Sequence, residues 1–462
     1  MKLSILGGGG ARMPALVHLM ASTRPPVFER IELFEPDPER RSSLGRLSVE
    51  VARALGDQTM VTVSDDIEGV LTDADFVFSA IRVGGDQGRV IDEQVALKRG
   101  LVGQETTGPG GCAMALRTIP VVLRHCEIVA RVAPRAVIIN FTNPAGLVTQ
   151  AITAHGEVPV VGICDTPREL FRLLGEYLSR SASECSFSYG GLNHLGWVSS
   201  AVTDGEDALD ELLRRYEDLC RFDASFAAFD PDLIRRIGAI PTEYLYYFYE
   251  PTRYVEHVTK ASVSRGQEVR RFNERLVETV TAAFATGDVH DAWVAYSRVM
   301  DARNATYMRL DLTGSEAQMP QTKSDDVAPL TDPVSGIGGY EGVALQVASA
   351  LMGHGAAEIA VNTRNADALS FIDADDVVET IAVVDRSGIT PIGGVDLPPA
   401  ARGLVLQVKE YERAVVDAAV TGSGALAATA LALHPLVPGM SVAKDLLNEY
   451  RELHGRDLAY LD

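Results

Sequence analysis

The opening residues, MKLSILGGGGARMPALVHLMAS, narrow the folds open to this chain more than any other stretch. KLSIL (2–6) reads as a strand and ALVHLMAS (15–22) as a helix, joined by four glycines, Gly7, Gly8, Gly9 and Gly10. Glycines between a strand and a helix let bare backbone approach a ligand at a helix N-terminus, where N–H groups and the helix dipole favour a pyrophosphate. The alternation then continues. IELFE (31–35) is a second strand and PERRSSLGRLSVEVARAL (38–55) a second helix, with further buried strands at MVTVS (60–64), DFVFSAI (75–81), AVIINF (136–141) and VPVVGIC (158–164). Strands this apolar, spaced by helices, predict an α/β fold with a parallel, doubly wound sheet.

A chain of 462 residues exceeds the usual size of one domain, so two joined units are expected. The boundaries predicted are a Rossmann-like nucleotide-binding domain over 1–168 and a C-terminal α+β domain over 169–462, where helical stretches lengthen. Acidic residues outnumber basic ones, 63 to 42, and the net charge of −21 repels nucleic acid and anionic membrane. The N-terminus runs from strand to glycines, unlike a signal peptide, and no long apolar span follows, so a cytoplasmic protein is expected. Five scattered cysteines argue against a disulfide framework and leave single thiols for metal or catalysis. The stretch SEAQMPQTKSDDVAPLTDPVSGIGG (315–339) has the composition of a surface loop or lid.

Several loops carry candidate chemistry. The turn does not complete a GxGxxG pattern, since Arg12 stands at the third glycine's place, but Glu35 ends the second strand where a ribose hydroxyl would be held; Asp37 lies between prolines, beyond it. GQETTGPGG (103–111) reads as a shaped loop, and NFTNPAG (140–146) places Asn140 and Asn143 at a strand end, as ligand contacts or as turn caps. VVGICDTPREL (160–170) sets Cys164 and Asp165 at the end of a strand, and GGLNHLGW (190–197) holds His194 between glycines. A lone buried cysteine is usually a small apolar filler and a lone histidine a structural group; as a pair they would hold a divalent ion with positions open for substrate. IPTEYLYYFYEPTRYV (240–255) is an aromatic core stripe or a source of a phenolate base, the latter only beside a cation.

GGGG, SAIRVGG (79–85), GQETTGPGG, ALRTIP (115–120), NFTNPAG, the Cys-Asp pair, GLNHLGW, IPTEYLYYF and GGYEGVAL (338–345) occur in one order, and together they resemble glycoside hydrolase family 4, closest to its 6-phospho-β-glucosidases. The resemblance implies a lactate/malate dehydrogenase-like fold, NAD and a divalent metal, typically Mn²⁺, a sugar phosphoglycoside as substrate, and a homodimer or homotetramer. It also implies an exception to two-carboxylate glycoside hydrolysis. Oxidation of the sugar C3 hydroxyl acidifies the C2 hydrogen; a base removes that proton, the aglycone leaves C1, water adds and C3 is reduced again.

Carried onto this sequence, the resemblance makes Cys164 and His194 the metal ligands, and Tyr244 the base ahead of Tyr246 and Tyr247. It makes Asp165 a candidate acid for the leaving group, although several β-specific members have Asn there. Glu105, a further catalytic candidate, and Arg265 match positions near the substrate; Arg82 and Asn143 match sugar- or phosphate-binding positions; Gly7 to Gly10, Glu35 and Asn140 are expected around NAD. Two departures bear on phosphate recognition: Gly10, Ala11, Arg12 and Met13 replace hydroxyl residues, and SGIGGYEG lacks the usual Arg and Ser. Another sugar or anomer, or a plain dehydrogenase, is the alternative.

Overall fold

The structure, a computed structural model, describes residues 1–462 except 57, 262, 316–329 and 331–338. The candidate lid at 315–339 therefore lies almost wholly outside the described residues.

Six strands form the parallel half of the sheet: β1 (Lys2–Leu6), β2 (Arg30–Phe34), β3 (Met60–Ser64), β4 (Phe76–Ser79), β5 (Val137–Asn140) and β6 (Val160–Gly162). Their order is β6-β5-β4-β1-β2-β3, the doubly wound arrangement in which the chain reverses direction between β1 and β4. Every residue of β1 and β4 is buried, which is why these strands read as unbroken apolar runs without alternation. Each large side chain enclosed there contributes about 1.5–3 kcal/mol relative to exposure.

The remaining strands are β7 (Ser186–Leu192), β8 (Leu195–Thr203), β9 (Glu206–Asp207), β10 (Ile240–Pro241), β11 (Ala357–Arg364), β12 (Val377–Asp385) and β13 (Gly388–Pro391). They continue the same sheet, because β11 pairs antiparallel with β6 at Asn362 and Gly162, and β12, β7, β8 and β10 follow. The strand that carries Cys164 past its end is thus the last parallel strand. The hairpin that carries His194 lies three strands further along.

Element ends shift by one or two residues from the sequence reading, and two differences go further. The second helix is not continuous: Pro38–Arg40 passes through a wide π-type turn, Arg41–Gly45, before Arg46–Ala54. GQETTGPGG is not all loop, since Gly108 to Gly111 form the first turn of the long helix Gly108–Val132. Pro109 costs nothing at a first turn, whose N–H groups have no helical partner. A side chain on Gly110 or Gly111 would lie 2.3 Å from the Gln104 carbonyl or 2.4 Å from the Thr106 carbonyl, so these glycines let the loop fold back onto the helix.

Candidate active site

The glycine turn sits at the carboxyl ends of β1 and β4. Gly7 has φ +88°, and a Cβ there would meet the Ala80 carbonyl at 2.5 Å; on Gly8 it would meet Leu33 at 2.5 Å, and on Gly9 the Glu35 side chain at 2.8 Å. The turn is a cradle that any larger residue would fill. The Gly10 N–H closes it on the Gly7 carbonyl at 3.0 Å, and the helix Met13–Ser22 follows. Glu35 accepts the Gly9 N–H at 2.8 Å and the Asp37 N–H at 3.0 Å, which fixes its carboxylate against the turn. Asn140, fully enclosed at the end of β5, spends its amide on Thr142, Ala145 and Thr149. That side chain shapes the loop in which Asn143 is partly buried.

Tyr244 is the meeting point of the distant motifs. It lies in the short turn Glu243–Leu245, and its ring stacks on His194 with centroids 3.6 Å apart and planes 13° from parallel. His194 occupies the turn between β7 and β8 at φ +61°, a conformation a non-glycine residue holds at a cost of about 1–3 kcal/mol and one that collects at functional sites. Its Nδ1 lies 2.8 Å from Thr106 Oγ1, and burial pushes its imidazole down to about 4. The Tyr244 phenol is pushed up, first by burial, then by the charges of Glu105 and Glu243, with Cys164 also acting on it. Cys164 is buried, and its thiol is pushed up by burial and by Glu379 and Asp165. His194 thus stacks on this phenol, and the charges of Glu105 and Cys164 act on it. The other two tyrosines are engaged elsewhere: Tyr246 donates to the Asp311 carbonyl at 3.2 Å and Tyr247 to the Asp311 carboxylate at 2.7 Å.

Asp165 precedes the helix Thr166–Tyr177 without capping it. Its charge acts instead on Arg12, Glu243 and Tyr307, toward the interior of the site. Glu243, accepting from Tyr307 at 3.0 Å and Thr166 at 3.2 Å, is pushed up by burial to about 7. Beneath Cys164, Glu379 is 1 % exposed and accepts from Tyr189 at 2.6 Å, Asn193 at 2.9 Å and Asn362 at 3.0 Å, all neutral donors.

A basic cluster borders the same space. Arg82 and Arg89 clasp Glu105 at 2.7 and 3.0 Å; burial pushes that carboxyl up, but the two guanidiniums outweigh it and hold it at about 2. Arg265 pairs with Glu268 and donates to Thr306 at 2.6 Å. Arg303 differs. Its Nε and Nη1 are shut off from solvent and bond to nothing among the described residues, and burial with the charges of Arg12, Arg265, Arg89 and Arg82 pushes it down to about 9.

Sequence reasoning missed Arg89, Arg303, Glu243, Tyr307 and Glu379. Arg303 lies in DARNATY, which carries no motif, and only its unmatched burial sets it apart. Glu379 had a faint signal, a carboxylate inside the apolar strand VVETIAVV.

Two family models cover the chain: family 4 glycosyl hydrolase over residues 2–179, and the family 4 glycosyl hydrolase C-terminal domain over 189–437. A probable 6-phospho-beta-glucosidase of Bacillus subtilis is 29 % identical, over 98 % of this chain and 96 % of that one. A maltose-6'-phosphate glucosidase of Fusobacterium mortiferum is 26 % identical, over 97 % and 96 %. The 6-phospho-beta glucosidase of Thermotoga maritima, solved with manganese, NAD+ and glucose-6-phosphate, superposes with a TM-score of 0.78 at 26 % identity, over 98 % of both chains.

Proposed function

The chain belongs to glycosyl hydrolase family 4, and from that premise we propose that it cleaves 6-phospho-β-glucosides by transient oxidation and elimination, as an NAD- and divalent-metal-dependent glycosidase. The residues present fit both groups. The Gly7–Gly9 cradle, which a Cβ would fill, and the Glu35 carboxylate suit a dinucleotide at the strand-order switch between β1 and β4. Cys164 and His194 offer a thiol and an imidazole to a metal. Among the described residues no three His, Cys, Asp or Glu side chains form a metal cluster, so these two would leave positions open for sugar oxygens and water.

When bound, NAD+ supplies a hydride acceptor at the sugar's C3 and Mn²⁺ an electrophile that makes the C2 hydrogen acidic. The protein does the rest. Tyr244 Oη takes the C2 proton, its phenolate stabilised by the adjacent cation site. Asp165 gives a proton to the leaving oxygen at C1. Glu105 holds Arg82 and Arg89 in place at the sugar, and Asn143 and Arg265 flank it. Arg303, whose Nε and Nη1 find no partner among the described residues, favours a substrate carrying an anion, which a C6 phosphate provides.

The stacking of His194 on Tyr244, whose phenol also feels the charges of Cys164 and Glu105, carries this reading. Nitrophenyl glycosides in both anomers, with and without 6-phosphate, should be assayed with NAD+, Mn²⁺ and reductant. The expected result is release of nitrophenol from the 6-phospho-β-glucoside with no build-up of NADH. Stoichiometric NADH would mark a dehydrogenase instead, and preference for the α-anomer would reassign the substrate.

A further inference from the structure

The loop Gln104 to Thr107 packs behind His194, and its donors and acceptors can be counted. Gln104 Oε1 accepts the N–H of Thr106 at 2.6 Å and of Thr107 at 2.8 Å, which identifies it as the amide oxygen. It also lies 2.9 Å from Thr106 Oγ1, and a carbonyl oxygen has no proton to give, so the hydroxyl donates. A hydroxyl has one proton. With that proton committed, Thr106 Oγ1 faces His194 Nδ1, 2.8 Å away, only as an acceptor. Nδ1 must therefore carry the imidazole's hydrogen, and the lone pair falls on Nε2.

We propose that Gln104 and Thr106 lock His194 in its Nδ1–H tautomer, making Thr106 a positioning residue that presents Nε2 to the metal. The inference rests on His194 being a metal ligand. Stacking on Tyr244 fixes the plane of the ring but not its sense; a flipped ring keeps the stack and loses the Thr106 bond. The hydroxyl is what distinguishes the two orientations. His194 is 7 % exposed, so the Thr106 hydroxyl and not bulk water meets Nδ1. Partners behind a metal-bound histidine set its tautomer, and their loss weakens metal binding by about 10–100-fold. The Gly-rich segment GQETTGPGG thereby gains a role beyond loop shape: Glu105 faces the arginines, Thr106 faces His194, and Gln104 holds the Thr106 hydroxyl.

The test uses the full chain with Thr106→Val, which keeps the shape and removes the hydroxyl, and Thr106→Ser, which keeps the hydroxyl. Calorimetric titration with Mn²⁺ in the presence of NAD+ should show binding about 10–100-fold weaker in T106V. T106S should stay close to the parent, with NAD+ affinity unchanged in both. In the metal-free parent, ring ¹⁵N NMR should report the proton of His194 on Nδ1; T106S should retain that signature and T106V lose it. A parent spectrum with the proton on Nε2 overturns the proposal, and this reading stands even if T106V does not fold. Mn²⁺ affinity of folded T106V equal to the parent's also overturns it. His194→Ala tests the underlying assignment separately: undiminished Mn²⁺ binding there removes the metal site itself, whereas lost binding there with retained binding in T106V removes only the lock.

Discussion

A phenol enclosed beside two carboxylates holds its proton more tightly than one in water, so Tyr244 is a poor base until a cation arrives. Burial, Glu105 and Glu243 all act in that direction, and a divalent ion held by Cys164 and His194, as proposed, would act against it. Tyr244→Phe should lower kcat by about 10²–10⁴-fold, the usual worth of a general base, while NAD+ binding persists. Turnover near the parent's would move the base to another residue. Arg303→Met should raise KM for a phosphorylated substrate by about 10–100-fold, the loss of a charge-assisted bond, and leave an unphosphorylated analogue unaffected. Equal effects on both substrates would assign Arg303 to the fold. Cys164, His194 and Tyr244 were legible in the sequence because each stands in a short, ordered motif. Arg303 was not, since guanidinium nitrogens buried with no partner among the described residues are a property of three-dimensional surroundings and leave no local pattern.

Among the elements, the central strands were read correctly because burial on both faces makes them continuously apolar, whereas helix starts were harder to place. The helix at Gly108 begins with residues that look like a loop, since Gly and Pro at a first turn serve loop and helix equally. That turn is also closely packed against the preceding loop. Gly110→Ala would force a methyl to within 2.3 Å of the Gln104 carbonyl, so it should destabilise the fold by about 1–3 kcal/mol in denaturant titration. It should also weaken Mn²⁺ binding, because the same loop carries Thr106. A variant as stable as the parent would show that the loop can shift without cost.

Across the whole molecule, one continuous sheet joins the nucleotide cradle to the hairpin carrying His194, through strands the sequence did not predict to pair. The contact of β11 with β6 was illegible because antiparallel partners 200 residues apart, Asn362 and Gly162, leave no mark on each other's sequence. The fold's acid response follows from its buried histidines. Burial pushes His434 down to about 3 and His194 to about 4, both below the ordinary value of about 6.5. As pH falls below about 6.5 the unfolded chain takes up these protons first, so stability decreases by up to about 1.4 kcal/mol per pH unit for each histidine. Glu243, pushed up to about 7, and Asp311, to about 6, oppose this by favouring the folded state as they protonate. His434→Phe should therefore flatten the loss of stability between pH 6 and 4 relative to the parent; parallel profiles would mean that His434 titrates normally in the folded protein.

The central claim is that a proton leaves C2 of the sugar before the glycosidic bond is replaced. It is tested most directly by turning over a 6-phospho-β-glucoside in D₂O with NAD+ and Mn²⁺ and examining the released sugar phosphate by NMR. Deuterium at C2, together with slower turnover of substrate deuterated at that carbon, is the predicted result. Product that retains its original C2 hydrogen, at an unchanged rate, would contradict it.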